Sequence, residues 1–245
     1  MRFNIKNVGT VQSTNSYLFD LVGRNEEEGL VIITDNQTAG KGLGKNHWES
    51  QTGKNLTFSI LLKPEFLKPE KQFVITQLVS LSILKVCKEK LSSNHLKIKW
   101  PNDIYAGNKK LAGVLVQNIV KGDSISHSII GIGLNVNQEV FVSDAPNPVS
   151  MILLLGKTLK LDLLLDDILN EIDKNYSSFT TLTEVMLNKN YTDNLYRIAH
   201  SNYFTDKDGR FEGEILGVNN YGQLKIKKAS GQTCIYSYKE VEFEF

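Results

Sequence analysis

The chain carries Lys99-Trp100-Pro101-Asn102-Asp103 and, a few residues on, Lys110-Leu111-Ala112-Gly113. Together they supply an amide, a carboxylate and an ammonium. The apolar alternation of Leu96, Ile98 and Trp100 reads as a strand approach, and Gly107-Asn108 reads as a short turn. A chain reversed at such a turn runs back antiparallel, which would bring Asn102, Asp103 and Lys110 together. That set suits phosphate, a divalent metal or a carboxylic acid. A solvated hairpin end with polar residues at its tip has the same composition, so spacing alone leaves both readings open.

Three further stretches have residue types with chemical use. Gln37-Thr38-Ala39-Gly40-Lys41-Gly42-Leu43-Gly44-Lys45 follows the apolar run at 29–34 and offers backbone N–H groups and lysines to an anion. It is not a phosphate-binding loop of the Walker type, because Asn46 stands where Ser or Thr would meet magnesium. It is a poor dinucleotide fingerprint as well, since no helix pattern follows it. Gly131-Ile132-Gly133-Leu134-Asn135 puts alternate glycines in a strand, as a bulge or a closely approaching ligand requires. Ser13-Thr14-Asn15 reads as a helix N-cap, and the same side chains could hold a small polar ring. His47, His95, His127 and His200 are scattered without metal-ligand spacing.

These residues need elements to hold them. Strands are expected at 29–34, 56–62, 96–100, 110–118 and 125–136, with a short one around Phe3 and Ile5. Helical periodicity marks the stretch after Thr14, residues 70–90, and a pair at 161–176 and 182–195. After residue 196 short alternating runs are separated by Asp208-Gly209, Asn219-Asn220-Tyr221-Gly222 and Ser230-Gly231, the texture of a small β-barrel. The expected division is therefore 1–195 and 196–245. At 245 residues a sizeable core is available. A net charge of +1 gives no bulk electrostatic case for nucleic acid or a membrane surface. Cys87 and Cys234 are too few for a disulfide framework. The N-terminus lacks a signal-peptide pattern, so a soluble, cytoplasmic protein without a membrane partner is expected.

The four stretches, in this order, resemble the biotin protein ligases. Ser13-Thr14-Asn15, Gln37 to Gly42 with Trp48 beyond, Lys99 to Asp103, Lys110 to Gly113 and Gly131 to Asn135 match the family's motifs, and Pro148-Val149-Ser150 and Lys239-Glu240-Val241 fit its later pattern. The resemblance implies an α/β (α+β) fold: a mixed sheet covered by helices, like class II aminoacyl-tRNA synthetases, with a C-terminal SH3-like barrel. It implies ATP and magnesium, biotin as substrate, and a biotin carboxyl carrier domain as acceptor. It assigns biotin binding to Ser13, Thr14, Asn15, Gln37, Gly40, Lys41, Gly42, Lys110, Gly113 and Gly131. ATP would meet Lys41, Leu43, Trp100, Asn102, Lys110 and Asn135, and Asp103 would hold the metal. Lys110 and Lys41 are the expected catalytic cations. The glycines would admit the ligand against the backbone. The loop departs from the arginine-rich form usual in the family, and Leu43 in a basic position implies weaker retention of the adenylate. The first motif begins at residue 13, so no winged helix-turn-helix and no operator binding are expected. Oligomeric state is not set by the sequence, and a homodimer is compatible with it.

Overall fold

Residues 56–62 are buried at all seven positions, the pattern of a strand covered on both faces. In the computed structural model this strand lies inside a seven-stranded sheet. The structure describes residues 1–44, 46–93, 95–142 and 147–244. In chain order the elements are β1 (Asn4–Asn7), β2 (Thr10–Val11), α1 (Thr14–Leu21), β3 (Leu30–Ile33), β4 (Asn36–Gln37), β5 (Leu56–Leu62), α2 (Phe73–Leu91), β6 (Leu96–Lys99), β7 (Asp103–Ala106), β8 (Lys109–Lys121) and β9 (Ser124–Leu134). They continue with α3 (Met151–Leu155), α4 (Leu161–Ser177), α5 (Thr181–Asp193), β10 (Ser201–Asp206), β11 (Gly209–Val218), β12 (Leu224–Lys228), β13 (Thr233–Tyr236) and β14 (Val241–Phe243).

The large sheet has the order β1-β3-β5-β9-β8-β7-β6. It is mixed, because β1 pairs parallel with β3 while the other neighbours run antiparallel. Side chains alternate between faces along each strand. Phe58, Ile60, Ile130 and Ile132 therefore point into one core together with α2 and α4, whose apolar stripes include Leu78, Ile83, Ile168 and Ile172. Leu61 and Ile129 point the other way and pack with Leu18 of α1. On that second face α1 is only eight residues long. The rest of the face is left open, and the cavity lies there.

The mixed α/β architecture and the antiparallel C-terminal sheet agree with expectation. One local reading needs correction. The apolar spacing predicts one strand over 96–100 and a single turn at Gly107-Asn108, yet residues 96–106 form two strands, β6 and β7, paired Lys99↔Asp103. The chain thus reverses at Trp100-Pro101-Asn102 and again at Gly107-Asn108. The apolar spacing does not change across the first corner, so periodicity could not reveal it. The long helix starts at Phe73, with a 3-10 turn over Pro69–Lys71 ahead of it.

The C-terminal strands form one antiparallel sheet, β13-β12-β11-β10-β14. Its buried side carries Phe204, Ile215, Leu224, Ile226 and Tyr236. Asp206 sits beneath it, accepting from Lys228 Nζ and Tyr236 Oη, each at 2.8 Å. The Lys228 hydrogen bond foremost, with Tyr236 and the Asp208 amide, lowers the carboxyl from 3.8 to about 2. A depressed carboxyl stabilises the fold above its unfolded value and loses that contribution as pH falls towards the folded one. Asp206→Asn should therefore be less stable at neutral pH by about 1–2 kcal/mol. It should also lose less stability than the unaltered protein between 4 and 2 on the acid side. Parallel acid-unfolding curves would show this, and curves that superimpose would refute it.

Candidate functional site

The open face of the sheet is the floor of a cavity of about 730 Å3. The register places Thr57 of β5, Gly133 and Gly131 of β9, Gly113 and Leu115 of β8, and Asp103 of β7 on this one face. Ser13, Thr14 and Asn15 at the start of α1 wall one end, with Gln37 of β4 beside them. Lys99, Asp103 and Lys110 wall the other, and Tyr238 reaches in from the C-terminal sheet. The two ends differ in chemistry: one is rich in hydroxyls and amides with Lys41 at its rim, and the other sets Lys99 and Lys110 beside the Asp103 carboxylate.

At the hydroxyl and amide end Ser13 caps α1, its Oγ accepting from Ser16 N at 3.5 Å. Gln37 Oε1 accepts the backbone N–H of Thr14 at 2.8 Å. Asn15 crosses the sheet. Its Nδ2 donates to Leu115 O at 3.2 Å and to Gln117 Oε1 at 3.1 Å, and its Oδ1 lies 2.6 Å from Ser59 Oγ. Both N–H bonds of that amide are thus used within the fold. The family resemblance gives Asn15 to the ligand; it lines the cavity and also ties α1 to β8. Ser59, fully buried in β5, is missed by sequence reasoning because a serine inside an apolar run carries no motif.

At the other end Lys110 Nζ stands 2.8 Å from Asp103 Oδ2 and 5.5 Å from the centre of the Trp48 ring. The convergence of Asp103 and Lys110 is the one expected from the turn. Asn102 joins them at the corner, where its Nδ2 donates to Val114 O and its carbonyl accepts from Val114 N at 3.0 Å. Lys99 packs over the rings of Tyr105 and Phe243. Burial, foremost, holds its ammonium below the ordinary lysine range; Lys110 and Arg197 push the same way and Asp103 opposes. Tyr238 is held above the usual phenol range chiefly by burial.

Two of the residues expected at the ligand line the cavity and also make contacts within the fold. Trp100 is 7% exposed and its indole N–H donates to Gly222 O at 2.7 Å, so it rivets the corner to the C-terminal sheet rather than turning its polar atom to the cavity. Tyr191 of α5 supports the same corner, donating to Pro101 O at 2.7 Å. Lys41 donates to Ser16 Oγ at 2.7 Å at the exposed rim. Its ammonium is turned there rather than beside Lys110.

The glycines make room for nearby protein atoms. A Cβ on Gly131 would lie 2.3 Å from Asn15 Oδ1, and one on Gly133 would lie 2.3 Å from the Trp48 ring. Gly113 faces Asp103 Oδ1 and the same ring. Gly40 and Gly42 are crossed by their own returning chain: the loop closes as a small hairpin through Trp48 N to Gly40 O at 3.0 Å and Gly42 N to Asn46 O at 2.8 Å. The absent side chains therefore first accommodate protein atoms. Leu43 lines the cavity from this hairpin. Lys45 lies outside the described residues.

Asn135 is 3% exposed; its Nδ2 donates to Val149 O at 3.1 Å, while Oδ1 is buried without a hydrogen-bond partner among the described residues. Trp48 Nε1 is likewise buried and unpartnered. An unmet acceptor or donor carries a desolvation penalty of about 1–3 kcal/mol, which a ligand of complementary polarity removes. For a metal, Asp103 is a single carboxylate, and among the described residues no three His, Cys, Asp or Glu side chains converge. Magnesium is commonly held by one or two carboxylates together with substrate phosphates, so this donor set fits a phosphate-bridged ion and not a dedicated protein cage.

The model of the biotin/lipoate A/B protein ligase family matches residues 8–135. The bifunctional ligase/repressor BirA of Bacillus subtilis (strain 168) is 28% identical over 232 residues, which span 93% of this chain and 70% of the relative. The biotin protein ligase of Aquifex aeolicus, solved in complex with biotin and ATP, superposes with a TM-score of 0.80 at 24% identity over 98% of both chains. The biotin acetyl coenzyme A carboxylase synthetase of Helicobacter pylori, solved with bound biotinylated ATP, superposes at 0.61 with 25% identity, over 96% of this chain and 100% of that one.

Proposed function

Because the chain belongs to the biotin/lipoate A/B protein ligase family, we propose that it is an ATP-dependent biotin protein ligase. Biotin and ATP give biotinyl-5′-AMP and pyrophosphate; a lysine of a biotin carboxyl carrier domain then takes the biotinyl group and AMP leaves. The observation that carries this reading is the two-ended cavity, with hydroxyl and amide groups at Thr14 and Gln37 and an ammonium at Lys110.

A cyclic urea needs matched donors and acceptors, which Ser13, Thr14 and Gln37 supply at the hydroxyl and amide end. The valerate chain runs from the start of α1 towards Lys110 through the cavity that Trp48 and Leu115 line. In the first step a carboxylate oxygen attacks the α-phosphorus and the bond to pyrophosphate breaks. Two anions must approach each other, so the ammonium of Lys110 offsets their repulsion and Asp103 keeps it extended into the cavity. Asp103 would also hold magnesium through the nucleotide phosphates, the ion neutralising phosphate charge when bound. Asn135 Oδ1 is an acceptor for the base's exocyclic amine. In the second step the acceptor amine attacks the acyl carbon and AMP departs. No enzyme nucleophile is required, and positioning with charge stabilisation supplies the rate. Residues 196–245 act as a clamp on this site through Gly222 and Tyr238. None of the described helices is long and apolar enough to cross a membrane, and a cytosolic location fits the use of ATP.

Exchange of labelled pyrophosphate into ATP, with biotin, lipoate and octanoate supplied separately, tests the assignment. Exchange with biotin alone is expected. Exchange with lipoate or octanoate in its place would move the chain to another branch of the family.

A further inference from the structure

The polarity of Thr14 can be read from its neighbours by counting protons. The carbonyl of Leu115 only accepts, so Asn15 turns Nδ2 towards it, at 3.2 Å, and Oδ1 towards Ser59, at 2.6 Å. Asn15 Oδ1 brings no proton, so the one between them belongs to Ser59. A hydroxyl has one proton only. The contact of 2.7 Å between Ser59 Oγ and Thr14 Oγ1 must then be made with the proton of Thr14. Gln37 Oε1 lies farther from Thr14 Oγ1, at 3.2 Å, and already accepts the Thr14 amide at 2.8 Å. With its proton directed at Ser59, Thr14 presents only lone pairs to the cavity.

We infer that Ser59 is a positioning residue that holds the Thr14 hydroxyl as an acceptor and thereby selects an acid whose ring offers an N–H. The inference deepens the biotin reading and rests on it. Ser59 is 0% exposed and acts through Thr14 rather than on the ligand. Without it Thr14 is released to rotate and donate, and the pocket ceases to distinguish a ring N–H from a ring oxygen. The chain from Gln37 through the Thr14 amide, and on from the Thr14 hydroxyl to Ser59, Asn15 and Gln117, joins β4, α1, β5 and β8, so the setting is imposed by the sheet itself.

The test is pyrophosphate exchange with biotin and with its two cyclic carbamate analogues, each having one ureido N–H replaced by oxygen. For the unaltered protein at least one carbamate should show a KM about tenfold or more above that of biotin. In Ser59→Ala the KM for biotin should rise by about tenfold, with kcat and the KM for ATP within about twofold of the unaltered values. The ratio of carbamate to biotin should fall to about two or less in that variant. A role in folding alone would raise all three acids by the same factor, and that result would overturn the inference. So would an unchanged KM for biotin, or an unaltered protein that does not distinguish the analogues. Ser59→Cys, which keeps a weakly hydrogen-bonding group in similar volume, should shift in the same direction by less; it serves if the alanine variant does not fold. Absence of exchange with biotin in the unaltered protein would overturn the ligase reading and this inference together, whereas an unchanged ratio overturns the role of Ser59 alone.

Discussion

Lys110→Met should lower kcat/KM for biotin-dependent pyrophosphate exchange by about a hundred- to a thousandfold, the effect of removing one preorganised charge from a developing transition state. The lysine lies near the start of β8 and its ammonium is held by Asp103 at 2.8 Å, with the Trp48 ring above. Methionine keeps most of the apolar stem, so packing against Trp48 survives while the charge is lost. The loss should fall mainly on kcat, because repulsion between the biotin carboxylate and the α-phosphate is greatest as they meet. Lys110→Arg should recover only part of the rate, since its planar fork is longer and seeks a bidentate partner in a space shaped for a point charge. Binding of biotin alone, followed by calorimetry, should change far less than the exchange rate. An exchange rate within a few-fold of the unaltered protein would remove Lys110 from the chemistry.

Gly131→Ala should abolish measurable biotin binding and destabilise the fold by about 2–4 kcal/mol, from overpacking together with broken buried hydrogen bonds. A Cβ there would stand 2.3 Å from Asn15 Oδ1 and 2.8 Å from its Cγ. Asn15 has no room to yield, being tied to Leu115, Gln117 and Ser59. Nor can the strand move aside, because Gly131 is paired on both sides, with Ser59 of β5 and Leu115 of β8. The clash is therefore passed to the start of α1, where Thr14 lines the cavity. Gly133→Ala is the instructive contrast. It meets the Trp48 ring, which is carried by a loop hairpin and not by the sheet, so its cost in stability should be smaller. Thermal denaturation of the two variants beside biotin titrations would decide the matter. Full biotin affinity in Gly131→Ala would show that Asn15 does not carry strain to the pocket.

Much of the scaffold is legible in the order of residues alone. The largely apolar run at 56–62, the helical period through 70–90 and the turn-separated strands after residue 196 each reflect a local rule of burial and period. The same holds for the convergence of Asp103 with Lys110, because a turn of short, fixed length leaves few alternatives for its flanks. The first reversal, at Trp100-Pro101-Asn102, is not legible, since apolar spacing is alike whether a chain continues or folds back.

The sequence by itself determined which residues can do chemistry here and, through motif order, the family to which they belong. Alternation puts Gly131 and Gly133 on one side of their strand, and the pairing register of the folded sheet brings Ser59 and Gly113 to the same face. Only the tertiary structure decided what meets them on that side. The space above Gly131 goes to Asn15, that above Gly133 to Trp48, and the indole N–H of Trp100 turns to Gly222, a residue more than a hundred positions away. A glycine records that room is needed, not which distant side chain takes it. A hydroxyl records that a proton is available, not where it points. Both are settled by contacts between elements far apart in the chain, and those exist only once the sheet, α1 and the C-terminal strands have packed together.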